Sequence, residues 1–141
     1  RFNGSLALLQ SEIDEGALNG VNLAGNSLPL APEYSLTVGM NWDVVSFSYG
    51  DLEFQVDGSY VDSQYFDVFG DKVTQQDGYA LGNARLALKR GEPGVEVALW
   101  VKNFTDENYR TSMINLLDNF GYVYGLMGLP RTYGIEATWR F

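Results

Sequence analysis

Six segments of the chain alternate between apolar and polar residues with a period of two. Across 130–141, one set of alternate positions is mainly apolar, namely Tyr133, Ile135, Ala137, Trp139 and Phe141. Since successive side chains of an extended strand point to opposite faces, this segment predicts a strand with one apolar and one polar face. The pattern recurs at 33–44, 52–61, 79–89 and 94–103, and less cleanly at 2–11. The sequence therefore predicts an all-β chain with six strands.

The links between these strands alternate in length. Short links are predicted near 45–51 and at "RGEP" (90–93), where Gly and Pro favour a turn. The other links are long and cover about 12–32, 63–77 and 104–131. In an antiparallel up-and-down sheet, the short turns would then lie at one end and the long loops at the other.

One segment has helical rather than β periodicity. In "SMINLLDNF" (112–120), the apolar residues Met113, Leu116, Leu117 and Phe120 are three or four positions apart, or adjacent. This spacing predicts a short helix inside the last long loop. No linker, repeat or low-complexity segment divides the chain, so we expect residues 1–141 to form one segment of a single domain.

The composition excludes several classes of function. The chain has no Cys and no His, which rules out disulfides and thiolate metal sites and removes the commonest general base. No Gly-x-Ser-x-Gly motif is present, and Asp62, Asp67, Asp71 and Asp77 lack the spacing of an EF-hand. The net charge of -9 argues against nucleic acid as a partner. The sequence therefore predicts a non-enzyme without a metal site or cofactor.

Alternation alone leaves open a soluble, carbohydrate-binding β-sandwich or a transmembrane barrel. Strands of about ten residues match a tilted membrane span, whereas ordinary strands average about five or six. Aromatic residues also lie near the strand ends on the apolar face, where they would form an interfacial girdle: Tyr34, Trp42, Tyr60, Tyr133, Trp139 and Phe141. These features favour the barrel.

A barrel of six strands is a problem in itself. Single-chain bacterial barrels begin at about eight strands, and an open sheet edge is not tolerated in lipid. The chain opens with "RFNGSLALLQ", which is not a signal peptide and already reads as a strand. We therefore expect either that copies assemble or, preferably, that the chain is the C-terminal part of a longer barrel.

Two motifs carry a resemblance to a known family. "VKNFTDENY" (101–109), a long loop and "GLPRTYGIEATWRF" (128–141) resemble the end of a TonB-dependent outer-membrane receptor. Upstream, "NLAGNSLPLAPEYSLTVGMNW" (22–42) resembles the Gly–x–x–Leu–Pro–x–Ala–Pro segment that precedes a strand in that family. In the motif positions, Asn103, Asp106, Tyr109, Pro130 and Arg131 are expected to have structural roles in a turn and at the start of a strand.

The resemblance implies a fold and a function. The chain would be the last six strands of a 22-stranded barrel, without the N-terminal plug domain that fills the lumen. It would lie in the bacterial outer membrane, against lipid and lipopolysaccharide, and help to import a ferric siderophore, cobalamin or an oligosaccharide. The TonB complex would supply energy through the absent N-terminal region. A passive porin-like pore is the alternative among membrane proteins.

The resemblance also implies an assembly signal in the final strand. The barrel assembly machinery would recognise the alternating apolar residues Tyr133, Ile135, Trp139 and Phe141. The physical basis would be an edge strand that is offered for pairing.

Candidate ligand-binding residues lie in two of the long loops, because loops on a rigid scaffold commonly carry recognition. They are Tyr65, Phe66, Asp67, Phe69, Asp118, Phe120, Tyr122 and Tyr124. Such a set of aromatic and acidic side chains could stack on a sugar, a catecholate or a corrin.

Overall fold

A computed structural model of the chain describes residues 1–91 and 94–139. Its strands are β1 (Phe2–Leu8), β2 (Ala17–Leu18), β3 (Val21–Asn22), β4 (Tyr34–Phe47), β5 (Gly50–Val61), β6 (Gln64–Tyr65), β7 (Gln75–Gln76), β8 (Tyr79–Arg90), β9 (Val95–Lys102), β10 (Arg110–Leu116), β11 (Tyr122–Met127) and β12 (Thr132–Trp139). A 3₁₀ turn covers Lys72–Thr74, and α1 is the single helical turn Leu117–Phe120. Part of the turn predicted at 90–93, and Phe141, lie outside the described residues.

Six strands form one antiparallel sheet in the order β1-β4-β5-β8-β9-β12. Each strand pairs with the one that precedes or follows it among the six, so the predicted up-and-down order is confirmed. The register places one apolar row across five strands, comprising Trp42, Phe54, Leu86, Leu99 and Ile135. β1 and β12 are the edges of this sheet, and the described strands do not close into a barrel.

The connections follow the predicted alternation of short and long. Only Ser48 and Tyr49 separate β4 from β5. β4 continues to Phe47, beyond the predicted end at Val44. A register shift between Asp43 and Val45 inserts one residue, and this residue interrupts the period-two alternation at the point where the predicted strand ends. The connections that we call the first, second and third long loops cover 9–33, 62–78 and 103–131 and follow β1, β5 and β9.

In a soluble sheet the apolar face is usually buried and the polar face is exposed, and this sheet has the opposite arrangement. On the apolar face, Leu99 is 52% exposed and Ile135 is 74% exposed. On the opposite face, Ala87 and Ala98 face each other across β8 and β9 and are each 1% exposed. A large exposed apolar surface needs an apolar partner, and an outward apolar band around strands is what contacts lipid in membrane barrels.

Charged and amide side chains cross-link the other face. Arg85 on β8 pairs with Glu96 on β9, and Lys89 on β8 pairs with Glu53 on β5. The Asn83 amide donates to the Asp57 carboxylate at 2.6 Å. These contacts join three neighbouring strands through polar side chains, which suits a wet barrel interior.

The prediction of a helix over 112–120 is wrong for most of that segment. Residues 110–116 form β10, which pairs with β11 and leaves only α1 helical. A short isolated helix is marginally stable, whereas the hairpin satisfies backbone groups along both strands. Gly121, at φ 74°, supplies the left-handed residue that ends α1 and allows the chain to turn back. In the described part of the chain, no helix has the length and apolar character needed to cross a membrane.

Candidate functional site

The three long loops meet at one end of the sheet. The Leu30 N–H donates to the Tyr65 carbonyl at 2.9 Å, which joins the first loop to the second. The Asn26 amide adds a second bond between these loops by donating to the Val68 carbonyl at 2.9 Å. The Arg110 N–H donates to the Gln76 side-chain oxygen at 3.0 Å, which joins the third loop to the second. The loops therefore form one connected unit.

Asp67 organises the second loop. Its Oδ2 accepts a hydrogen bond from the hydroxyl of Thr74 at 2.7 Å, and its Oδ1 accepts from the Phe69 N–H at 3.0 Å. The Thr74 side chain is fully buried, and its hydroxyl also contacts the Asp71 carbonyl. A buried hydroxyl needs such partners, so Asp67 holds the two sides of the segment 67–74 together within the loop.

The third loop is held by its own hairpin. β10 and β11 pair in register from Ser112 with Leu126 to Leu116 with Tyr122, after a bulge at Thr111. At the tip, the Asn115 side chain accepts a hydrogen bond from the Leu117 N–H at 3.0 Å. The hairpin therefore places residues 113–119 of the third loop beside residues 66–71 of the second loop.

An open cleft of about 640 Å³ lies between the three loops. Its walls combine apolar side chains with amides and carboxylates: Asn19, Val21, Phe66, Asp67, Phe69, Asp71, Met113, Ile114, Asn115, Asp118 and Asn119. Ligand sites commonly have volumes of about 300–1,000 Å³ and a few polar groups on apolar walls. The cleft therefore has the size and chemistry to receive a small molecule.

The structure divides the predicted ligand residues into two groups. Phe66, Asp67, Phe69 and Asp118 line the cleft. The others lie elsewhere on the loops and are Tyr65, Phe120, Tyr122 and Tyr124. The rings of Phe120, the last residue of α1, and Tyr122 contact each other at 6.2 Å between centroids. The cleft therefore unites predicted residues from two distant parts of the sequence but excludes all three predicted tyrosines.

Sequence reasoning missed the amide and apolar part of the cleft. Asn19 lies in a turn of the first loop and Val21 follows that turn, in which Asn19 and Gly20 both have positive φ. "NG" is a turn signal that could have located this tip between β2 and β3. The predicted helix includes Met113 and Ile114, whereas in the structure both belong to β10 and line the cleft.

Asn103 is the buried centre of the motif that follows β9. Its side-chain amide donates to the carbonyls of Glu107 and Leu129, at 2.9 and 3.2 Å. Its side-chain oxygen accepts from the Glu107 N–H and the Thr105 hydroxyl, and its own N–H donates to Asn83. Asn103 also has φ 50°, a conformation that Asn adopts more easily than most residues. It thereby ties the start of the third loop to the segment that enters β12.

The remaining motif residues surround this centre. Asp106 accepts from both the backbone N–H and the guanidinium of Arg131, at 3.1 and 3.2 Å, and the pair is exposed. Tyr109 stacks on Tyr79 at 4.7 Å between ring centroids. Pro130 lies two residues before β12, where its lack of an N–H removes no ladder bond.

The predicted assembly residues lie on the exposed apolar side of β12. Tyr133, Ile135 and Trp139 alternate along that face and are all exposed. β12 pairs with β9 on one side, and no described strand pairs with its other side. Phe141, the last member of the predicted set, lies outside the described residues.

The fold is similar to part of several solved receptors. The ferric yersiniabactin uptake receptor FyuA from Yersinia pestis is 26% identical, with a TM-score of 0.72 over 82% of this chain and 17% of that one. The siderophore receptor PiuA from Acinetobacter baumannii is 19% identical, with a TM-score of 0.73 over 96% of this chain and 18% of that one. The ferric-catecholate import receptor Fiu from E. coli K12 is 22% identical, with a TM-score of 0.71 over 97% of this chain and 18% of that one.

These matches confirm the resemblance to TonB-dependent outer-membrane receptors and support the outer-membrane location that this resemblance implies. The chain spans less than a fifth of the length of each receptor. No protein-family model and no curated protein matches the sequence.

Proposed function

We propose that the chain forms the last six strands of a plugged, 22-stranded receptor barrel, and that its long loops bind a ferric siderophore for import. The sheet supplies a segment of barrel wall, since its apolar face is exposed and its polar face is cross-linked. The three loops meet at one end of that wall, as a receptor mouth requires. The observation that carries the proposal is the cleft of about 640 Å³ between these loops.

Import rather than catalysis is the function that this arrangement serves. The cleft offers aromatic rings, amides and carboxylates for binding, and neighbouring folds belong to receptors that take up iron chelates. The TonB complex would supply the energy through a plug domain and a coupling peptide outside this chain. The barrel assembly machinery would insert the protein through β12, and lipopolysaccharide would surround the outer rim.

The experiment is uptake of labelled ferric siderophores by cells that express the complete gene. We expect uptake that disappears when TonB is deleted. Uptake that persists without TonB would instead indicate the passive pore. A complete gene product that dissolves without detergent and contains only these six strands would indicate the soluble sandwich.

A matched pair of variants tests the loop cleft itself. Phe69→Ala removes a ring that lines the cleft, whereas Tyr124→Ala removes an exposed ring of the third loop that does not. We expect Phe69→Ala to weaken siderophore binding by about tenfold, the effect of about 1.4 kcal/mol, and Tyr124→Ala to leave binding unchanged. Equal losses in both variants, or none, would argue against this cleft as the site.

A further inference from the structure

The charge of the cleft restricts the kind of chelate that it can take. Among the described residues that line it, three are carboxylates, Asp67, Asp71 and Asp118, and none is Lys or Arg. Lys72 follows Asp71 along the chain but does not line the cleft. At neutral pH the cleft therefore presents negative charge beside apolar and amide surface.

Two of these carboxylates are available to a ligand. Asp67 uses its oxygens within the second loop, towards Thr74 and Phe69. Asp71 and Asp118 are exposed, and the side chain of Asp71 makes no cap bond to the 3₁₀ turn that follows it. They come from the second and third loops, so a ligand between these loops would meet negative charge from both sides.

We propose that this cleft selects a neutral or cationic ferric chelate with apolar groups and hydrogen-bond donors, and disfavours a polyanionic catecholate chelate. The inference rests on the proposed function of the same cleft. A trianionic chelate would approach Asp71 and Asp118 without a lining cation to compensate, and like charges in an interface oppose binding. A chelate that carries an ammonium group would instead gain a favourable Coulomb interaction.

The test compares two probes on the protein produced from its complete gene and purified in detergent. One probe is a monocationic linear tris-hydroxamate ferric chelate, and the other is a trianionic tris-catecholate ferric chelate. The variant is Asp118→Asn, and the control is Asp77→Asn, an exposed carboxylate of the second loop that does not line the cleft. Binding is measured by fluorescence quenching at low and at physiological salt.

Asp118→Asn should weaken binding of the cationic chelate by about two- to fivefold, as expected for one exposed charge pair. The same variant should strengthen any binding of the trianionic chelate, and Asp77→Asn should change neither. Both effects should shrink at higher salt because the Debye length falls to about 8 Å at physiological ionic strength.

Each other result overturns a specific statement. Binding of the trianionic probe alone, or changes that are absent or of the same sign for both probes, would overturn the charge preference and leave the proposed import function standing. If the unmodified protein binds neither probe, the proposed siderophore function fails, and the charge preference fails with it.

Discussion

The sheet and the long-loop end of this molecule are built by different rules. In the sheet, every second residue faces the same surroundings, and neighbouring strands repeat the pattern in register, as in the row from Trp42 to Ile135. At the loop end, single polar side chains such as Asp67 and Asn103 determine the path of the backbone. The sheet should therefore tolerate substitutions that keep one face apolar and the other polar, whereas the long loops depend on particular residues.

The largest effect should come from a charge on the wrong face of the wall. Ile135→Arg places a guanidinium in the exposed apolar face of β12, whereas Glu136→Arg places it at the adjacent position on the polar face. We expect Ile135→Arg to lower the free energy of unfolding in lipid vesicles by about 2–4 kcal/mol. Glu136→Arg should cost less than about 1 kcal/mol, as surface changes usually do.

Urea titration of the complete protein in vesicles measures both values. Equal losses in the two variants would mean that the faces of the sheet meet similar surroundings. That result would remove the distinction between a lipid face and a wet face on which the barrel interpretation depends.

The next largest effect should come from Asn103, where the wall joins the third loop. Asn103 is buried, and Asn103→Ala leaves the Leu129 carbonyl and the Glu107 N–H without their partly buried hydrogen bonds to its side chain. We expect the free energy of unfolding to fall by about 2–3 kcal/mol, since unsatisfied buried groups cost about 1–3 kcal/mol. Hydrogen exchange should locate the loss in 103–131.

A matched control is Asn22→Ala, which removes one exposed hydrogen bond to the Ala24 N–H. It should cost about 0.5–1 kcal/mol at most. Similar losses in the two variants would show that Asn103 is not a special centre of the loop end.

Asp67 should give a smaller and more local effect. Asp67→Ala removes the shorter of the two acceptor contacts of the buried Thr74 hydroxyl and the acceptor of the Phe69 N–H, so we expect the second loop to open at a cost of about 1–2 kcal/mol. Limited proteolysis should then cut within 62–78 while the sheet stays protected. Asp71→Ala, whose side chain does not cap the 3₁₀ turn, should leave the cutting rate unchanged. A second loop that resists proteolysis equally in both variants would contradict this role for Asp67.

The same contrast explains what the sequence could predict. The six strands and their two faces follow from local alternation, because a slip of one residue would exchange the faces. Their up-and-down order follows from the alternation of short and long links. The cleft does not follow from any local pattern, since it needs Asn19, Phe66 and Asp118 to be brought together by contacts between loops. The helical spacing of Met113 and Leu116 predicted the wrong element because pairing with β11 outweighs a weak local preference. The family motif located Asn103 and Arg131, but it could not supply their partners.

The smallest effect should come from the exposed pair between Asp106 and Arg131, although both belong to the motif that indicated the family. Their side chains are about half exposed, and the backbone N–H of Arg131 would keep its bond to Asp106 after truncation of the arginine. Exposed ion pairs contribute about 0–1 kcal/mol, so Arg131→Ala should lower the free energy of unfolding by less than about 1 kcal/mol. A double-mutant cycle with Asp106→Ala measures the coupling, which should shrink as salt rises. A coupling of several kcal/mol would mean that this pair is buried from solvent in the complete protein. The turn after β9 would then resemble the sheet rather than the loops in its burial.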